Sequence, residues 1–333
     1  MRQARAIEFT LIAERSKNQQ RQLLILNSQF SILNSQFSFL IQSMRFFITF
    51  SYNGTRYCGW QRQPNGIAVQ EELEKALTTI LRTPIEVVGA GRTDAGVHAL
   101  NMVAHFDIAN DILPAYLKES DTEIGQRSYS PPVLGGVPNG EGGISTVDHR
   151  LLTVDSNRLI NNLNSLLPYD IAVKKVERVT DEAHARFDAL SRKYEYHIIT
   201  HKNPFLKEQA CRIHFPLNIE LMNEAAKVLF EYEDFTSFSK LHTDVKTNNC
   251  TIMEAYWQQR GEELVFTIKA NRFLRNMVRA IVGTLMEVGR ERLTIEGFRQ
   301  VIEAKNRCSA GHSVPASGLY FIEAEYPETI YNI

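Results

Sequence analysis

The sequence predicts an α+β protein in which helices pack on antiparallel sheets. Residues 46 to 52 place an apolar side chain at every second position, which is typical of a strand with one buried face. Residues 69 to 81 instead carry apolar side chains at helical spacing. This succession of strands and helices recurs later in the chain. We therefore expect two α+β domains, residues 44–188 and 189–333.

The composition is that of an ordinary globular protein, with 44% hydrophobic and 23% charged residues. The formal net charge of −1 means that any RNA-binding surface must be a local patch. The four cysteines are widely spaced without a C-x-x-C pair, which disfavours a zinc site or a disulfide framework. No apolar run is long enough to span a membrane. These features predict a cytoplasmic protein that binds no metal.

Residues 1–43 differ from the rest of the chain. The heptapeptide Ile-Leu-Asn-Ser-Gln-Phe-Ser occurs twice in succession, at 25–31 and 32–38, without coiled-coil spacing. Met44 follows and leads into the first strand, so we interpret residues 1–43 as a non-native or disordered leader. A transit sequence is the alternative, which five basic residues favour and two glutamates oppose.

The remaining elements follow from the same patterns. In the first domain, strands are expected at 85–88, 102–106 and 171–176, with a helix at 157–167. Residues 117–150 are expected to be a disordered insertion, because residues 131–143 alone contain eight glycines or prolines. In the second domain, strands are expected at 191–200, 264–270 and 319–324. Helices are expected at 219–230 and along an apolar stripe from Phe273 to Leu285, with Arg272, Arg275 and Arg279 in a row beside it.

A glycine-rich loop at 89–100 separates two of these strands and contains Asp94. Its glycines and alanines leave room for a large flat substrate to approach the carboxylate. The loop is not a dinucleotide-binding turn, because Asp94 occupies the third glycine position, where a carboxylate would repel a pyrophosphate. A strand, rather than a helix, is also expected after it. The loop is therefore a candidate catalytic segment.

The sequence Gly-Arg-Thr-Asp at 91–94 resembles the catalytic motif of the TruA family of tRNA pseudouridine synthases. Further segments resemble the family in the expected order: Gly-Trp-Gln-Arg-Gln at 59–63, Ala-His-Ala-Arg-Phe at 183–187, Arg-Lys-Tyr-Glu-Tyr at 192–196 and the segments 234–238, 272–279 and 307–320. Ala183 departs from the pattern, since the family has an aromatic residue there. The resemblance covers most of residues 44–326.

The resemblance implies three catalytic residues. Asp94 would be the nucleophile, Arg279 its ion-pair partner, and Tyr194 the residue that stacks on the target uracil and is a possible base. From the residues alone, Tyr194 and Tyr196 lie on one strand face, where a buried tyrosine is more often part of the core. Arg279 is flanked by apolar residues, so an unpaired charge there would be costly and it needs an anionic partner.

The resemblance also implies substrate-binding residues around these three. Arg92 would fill the gap left by the flipped nucleotide or bind its phosphate. The other candidates are His184, Arg186 and Phe187 in the segment 183–187, and His242 and Lys246 in a loop that contacts RNA in the family.

The function implied is the isomerisation of uridine to pseudouridine at positions 38, 39 and 40 in the tRNA anticodon stem-loop. The expected partners are tRNA and a second copy of the chain in a homodimer, and no cofactor is implied. The fold implied is a pair of ferredoxin-like, RRM-like halves with antiparallel sheets meeting at a catalytic cleft. One ionised carboxylate can attack the sugar, attack the base or remove a sugar proton, and the sequence leaves all three open.

Two other classes of function remain open. Exposed tyrosines and arginines on RRM-like sheets would suit a non-catalytic RNA-binding module, although the pairing of Asp94 with Arg279 would then have no purpose. A hydrolase could use Asp94 as its nucleophile. Against the hydrolase, the sequence has neither a metal-binding carboxylate cluster nor a paired acid.

Overall fold

The computed structural model describes residues 43–64, 66–109, 117–118, 153–154, 156–240 and 247–332. The elements of its first half, in chain order, are β1 (Ser43–Tyr52), α1 (Val69–Leu81), β2 (Val88–Gly89), β3 (His98–Ala109), β4 (Leu117–Lys118), β5 (Thr153–Val154), α2 (Ser156–Leu166) and β6 (Ile171–Arg178). Those of its second half are β7 (Ser191–Ile199), β8 (Cys211–Arg212), α3 (Ile219–Lys227), β9 (Ile252–Arg260), β10 (Glu263–Ala270), α4 (Met277–Gly289), α5 (Ile295–Glu303) and β11 (Leu319–Glu325).

One large sheet runs through both halves, in the order β6-β1-β3-β11-β7-β10-β9. Most neighbours are antiparallel, and the exceptions within this order are β3 and β11, which are parallel. At that junction Tyr320 lies opposite His98, and Phe321 lies opposite Ala99. The mixed α+β prediction is confirmed. The two expected sheets, however, are one continuous sheet.

Burial on both faces of the sheet explains why its central strands are so apolar. In β1, Phe46, Phe47 and Ile48 are all buried, although they point alternately to opposite faces. The ring of Phe47 packs edge-on against Tyr326, whose centroid is 4.9 Å away, so the C-terminal segment covers one face. None of the helices described in the structure is long and apolar enough to cross a membrane.

The helix predicted from Phe273 begins later, at Met277. Asn276 has a left-handed backbone with φ of 67°, which asparagine tolerates better than most residues, and this breaks the helical path. Arg272 and Arg275 therefore precede α4, and of the predicted arginine row only Arg279 lies on the helix. The predicted row is wrong as a helical feature.

Other predicted boundaries are close to those observed, with specific differences. Strand β3 begins inside the predicted loop, at His98, whereas of the predicted strand 85–88 only Val88 is paired. Ser43 was assigned to the leader but is the first residue of β1. Strand β9 and helix α5 were not predicted. The interpretations of residues 1–42 and of nearly all of the insertion 117–150 lie outside the described residues.

Candidate active site

The loop that carries Asp94 lies between β2 and β3 and is held by the segment that follows β1. Gly59 has φ of +95°, and a Cβ atom there would lie 2.4 Å from the carbonyl oxygen of Thr93. The amide of Trp60 donates a hydrogen bond to the same oxygen at 3.3 Å. The hydroxyl groups of Tyr52 and Thr93 are hydrogen-bonded at 2.9 Å. Contacts on both sides of Thr93 thus fix the backbone next to Asp94.

Two guanidinium groups approach the Asp94 carboxylate. Arg279 Nη1 donates a hydrogen bond to Asp94 Oδ2 at 3.2 Å, while Arg279 Nε donates to the carbonyl of Val314 at 2.7 Å. Arg275 Nε lies 3.7 Å from Asp94 Oδ1. The Arg279 side chain is 20% exposed and the Arg275 side chain 60% exposed, so the first is fixed and the second lies at the rim.

Tyr194 lies on β7 below the same loop. Its ring meets the rings of Phe273 and Phe321 edge-on, at centroid distances of 5.0 and 5.3 Å. Burial raises the pKa of the Tyr194 hydroxyl well above its usual value, and the negative charge of Asp94 adds to this effect although Arg192 opposes it. The phenol is therefore neutral at physiological pH, and close enough to Asp94 to sense its charge.

The segment 183–187 places its polar and aromatic side chains beside one another. The rings of His184 and Phe187 are 4.3 Å apart, and that of His105, on β3, meets His184 at 4.6 Å. The guanidinium of Arg186 lies 5.7 Å from the ring centroid of Phe187, which is 74% exposed. Burial lowers the pKa of His184, so this residue offers a neutral ring.

The structure brings together Asp94, Arg279 and Tyr194 from three segments far apart in sequence. Arg92 is exposed at the rim of the same loop. His242 and Lys246 lie outside the described residues. Among the residues that are described, no group of three His, Cys, Asp or Glu side chains is placed to bind a metal ion. A partly exposed carboxylate fixed beside a guanidinium suits nucleophilic or base chemistry.

Two arginines at the site were not expected there from the sequence. Arg275 was expected in a helical row within the segment 272–279, whereas it lies in the turn before α4 and approaches Asp94 from there. Arg192 lies half-buried between the Asp94 loop and the segment 183–187, where it donates hydrogen bonds to backbone carbonyls of both. The position of Arg192 within a strand of alternating side chains was the one feature of the sequence that could have drawn attention to it.

Comparisons with known proteins identify the family of this chain. A family model described as tRNA pseudouridine synthase matches residues 48–123 and 225–327. The tRNA pseudouridine synthase A of Parabacteroides distasonis is 51% identical over 289 residues, which are 87% of this chain and 98% of that protein. The protein of the same name from Bacteroides fragilis is 51% identical over 288 residues, 86% of this chain and 98% of that protein. This chain therefore belongs to the tRNA pseudouridine synthase family.

Proposed function

We propose that this protein converts uridine to pseudouridine at positions 38, 39 and 40 of the tRNA anticodon stem-loop. The observation that carries the proposal is the contact of 3.2 Å between Arg279 and Asp94. Asp94 lies in the loop motif that this chain shares with the family. Membership of the family supports the reaction, and relatives about half identical to this chain bear the name tRNA pseudouridine synthase A. We expect the reaction to take place in the cytoplasm.

The reaction breaks the bond between ribose C1′ and uracil N1 and forms one between C1′ and C5. Over the whole reaction N1 gains a proton and C5 loses one, so there is no net oxidation or reduction. Asp94 can start it by attacking C1′, by attacking the base or by removing a sugar proton, and all three require an ionised carboxylate. Arg279 favours that ionised form, because a nearby opposite charge stabilises a carboxylate.

Tyr194 has two parts to play in this scheme. Its ring, held between Phe273 and Phe321, offers a face for the flipped uracil. Its hydroxyl remains protonated in the free protein, so it serves as a relay: it accepts the C5 proton while passing its own proton to the Asp94 carboxylate. Asp94 then releases this proton to solvent and N1 takes one up, so the carboxylate is ionised again at the end of the reaction. This relay is compatible with Asp94 having left its bond to the substrate by that stage.

Substrate binding is assigned to the side chains around these three. Arg92 and Arg186 are exposed cations, and Phe187 is an exposed ring on which a base or ribose can stack. His184 supports the Phe187 ring. We also assign His242 and Lys246 to RNA binding, on their resemblance to the family loop alone.

The arrangement of strands supports a proposal of two ferredoxin-like halves, divided between residues 188 and 189. Leaving out β4, β5, β8 and α5, each half runs strand, helix, strand, strand, helix, strand. In the sheet these strands lie in the order fourth, first, third, second, namely β6-β1-β3-β2 and β11-β7-β10-β9. We further propose that the protein acts as a homodimer, which sedimentation of the free protein would test.

Incubation with unmodified tRNA, followed by mapping of pseudouridine, tests the proposed function. Pseudouridine at positions 38 to 40 is the expected result, and a matched tRNA with cytidine at those positions should stay unmodified. An RNA-binding module would bind the tRNA and leave every uridine intact. A hydrolase would instead release a cleaved product, so each alternative has its own signature.

A further inference from the structure

Arg192 is a half-buried cation whose guanidinium is hydrogen-bonded only to backbone oxygens in the described part of the chain. Its Nη1 donates to the carbonyls of Ala189 and Asn271, at 3.0 and 2.8 Å. Its Nη2 donates to the carbonyl of Ala90 at 3.3 Å and to that of Arg186. Burial lowers the pKa of Arg192. Removing a guanidinium from water without a carboxylate partner is costly, and the four carbonyl contacts offset part of this cost. They also hold the Arg192 side chain in one position.

Three of these carbonyls belong to segments that carry another arginine. Ala90 lies two residues before Arg92, Asn271 immediately precedes Arg272, and the third carbonyl is that of Arg186 itself. A single guanidinium is only a few ångströms across. The hydrogen bonds of Arg192 therefore hold three backbone segments close to one another, and each of these segments carries another arginine.

The three side chains are near one another and lack anionic partners. Partial desolvation lowers the pKa of Arg186, and the positive charges of the neighbouring Arg92 and Arg272 lower it further. In the part of the chain that the structure describes, none of the three guanidinium groups makes a hydrogen bond or an ion pair. Three unpaired cations that repel one another form a site for an anion.

We propose that Arg92, Arg186 and Arg272 together bind one backbone phosphate of the RNA next to the target uridine, and that Arg192 is the positioning residue that assembles this three-arginine site. The inference rests on the proposed function, because Arg92 is two residues from Asp94 and the phosphate must belong to the strand that presents the uridine. Planar guanidinium groups suit phosphate oxygens better than single ammonium groups do.

Arg272→Gln tests the site directly, with an anticodon arm carrying uridine at positions 38 to 40 as the probe. We expect Kd and KM to rise about tenfold with a smaller change in kcat, as for the loss of a charge-assisted contact. The slope of log affinity against log salt should fall by roughly 0.7 to 0.9, as for one phosphate contact.

Arg212→Gln is the matched control, because it removes the same charge at the opposite end of β7. Arg212 pairs with Ile199. Ile199 is seven residues from Arg192 along β7, so the two arginines are separated by roughly 23 Å along the strand. This control variant should keep the wild-type affinity and salt slope.

Replacing single phosphates of the arm by neutral methylphosphonates locates the contact. One linkage beside the target uridine should weaken binding to the wild type and have little effect on Arg272→Gln. Equal effects on both proteins at every linkage, or an unchanged salt slope for Arg272→Gln, would overturn the three-arginine site. A wild type that forms no pseudouridine would contradict the proposed function instead, whatever the binding data show.

Arg192→Lys tests the positioning role, since it keeps the charge but cannot hold four carbonyls. It should weaken binding as Arg272→Gln does, and the double variant should be little weaker than either single variant. Fully additive losses would overturn the positioning role. If Arg192→Lys does not fold, as judged by circular dichroism, Arg272→Gln and Arg186→Gln are compared with their double variant in the same way. Non-additive losses of affinity would show that these arginines act as one site, and fully additive losses would show that they do not.

Discussion

The two guanidinium groups at Asp94 differ in how firmly they are held. Arg279 extends from the buried helix α4 and bonds to both Asp94 and Val314, so its charge cannot move away. Arg275 is more than half exposed and its nitrogen is 3.7 Å from the carboxylate. Exposed pairs of this kind contribute about 0 to 1 kcal/mol, whereas a fixed and partly buried partner contributes more.

Arg279→Gln and Arg275→Gln should therefore have very different effects on kcat. We expect Arg279→Gln to lower kcat by about 100-fold or more, because the site loses the charge that favours the ionised nucleophile. Arg275→Gln should lower it by only a few fold. Single-turnover rates at saturating tRNA give the comparison. Equal losses in the two variants would mean that Arg275 is as essential to the carboxylate as Arg279.

Tyr194→Phe separates stacking from proton transfer. The variant keeps the ring and its two aromatic neighbours, so tRNA binding should change by no more than a few fold. Product formation should slow by about 100-fold or more, since general acid–base groups contribute 10² to 10⁴ in rate. Tyr194→Leu is the control that removes the ring and should fail earlier, at binding or flipping. A near-normal single-turnover rate for Tyr194→Phe leaves only the stacking role.

The sequence was informative about side chains that lie within short motifs and uninformative about those placed by backbone geometry. The motif resemblance drew attention to Asp94 and Tyr194 because motif and residue coincide. Arg275 approaches Asp94 from the turn before α4, where Asn276 adopts a left-handed backbone that no hydrophobic period reveals. Arg192 sits in a strand as expected, but its carbonyl partners come from three separate segments and are visible only in the folded chain.

At the scale of the element, the Asp94 loop depends on the absence of a side chain at Gly59. An alanine there would place Cβ 2.4 Å from Thr93 O and would strain a backbone with φ of +95°. We expect Gly59→Ala to lower kcat at least about tenfold, by moving the nucleophile, and to lower the melting temperature.

Gly261→Ala is the matched control for this substitution. Gly261 also has a positive φ, of +58°, but a Cβ atom added there, in the hairpin between β9 and β10, would meet no atom within 4 Å beyond its chain neighbours. The control should lose about 1 kcal/mol of stability and keep the wild-type kcat. If both variants keep full activity, the loop is not held by Gly59.

His105 connects strand β3 to the segment 183–187 and should make stability dependent on pH. Its Nδ1 accepts a hydrogen bond from the amide of Ala185 at 3.1 Å. Burial, aided by the positive charge of Arg45 and by His184, lowers the pKa of His105 to about 4, while Asp107 and Asp188 oppose the shift. The folded protein thus keeps this ring neutral in a range where the unfolded chain, with a pKa near 6.5, takes up a proton.

The stabilising contribution is therefore complete above about pH 6.5 and is lost as the pH falls toward 4. Between pH 7.5 and pH 5 we expect His105 to account for a loss of about 2 kcal/mol in the free energy of unfolding. His105→Asn keeps an acceptor near Ala185 but cannot be protonated, so it should lose about that much less over the same range. Urea titrations at the two pH values provide the measurement, and parallel losses would refute the assignment.

At the scale of the whole molecule, the site exists because the two halves share one sheet. Asp94 comes from the loop before β3, whereas Tyr194 and Arg279 come from the second half, and β3 and β11 join the halves. Local patterns predicted most of the strands and helices, because alternation and helical spacing report burial within one segment. They could not predict the parallel junction, since Phe321 and Ala99 meet across more than 200 residues and only the folded topology brings them together.

Asp94→Asn tests the central claim most directly, because it removes the negative charge and the nucleophile while changing little of the shape. The account predicts no detectable pseudouridine at positions 38 to 40 in single-turnover assays, with tRNA affinity within a few fold of the wild type. Turnover by Asp94→Asn clearly above the background of a reaction without protein would contradict the claim and place the nucleophile elsewhere.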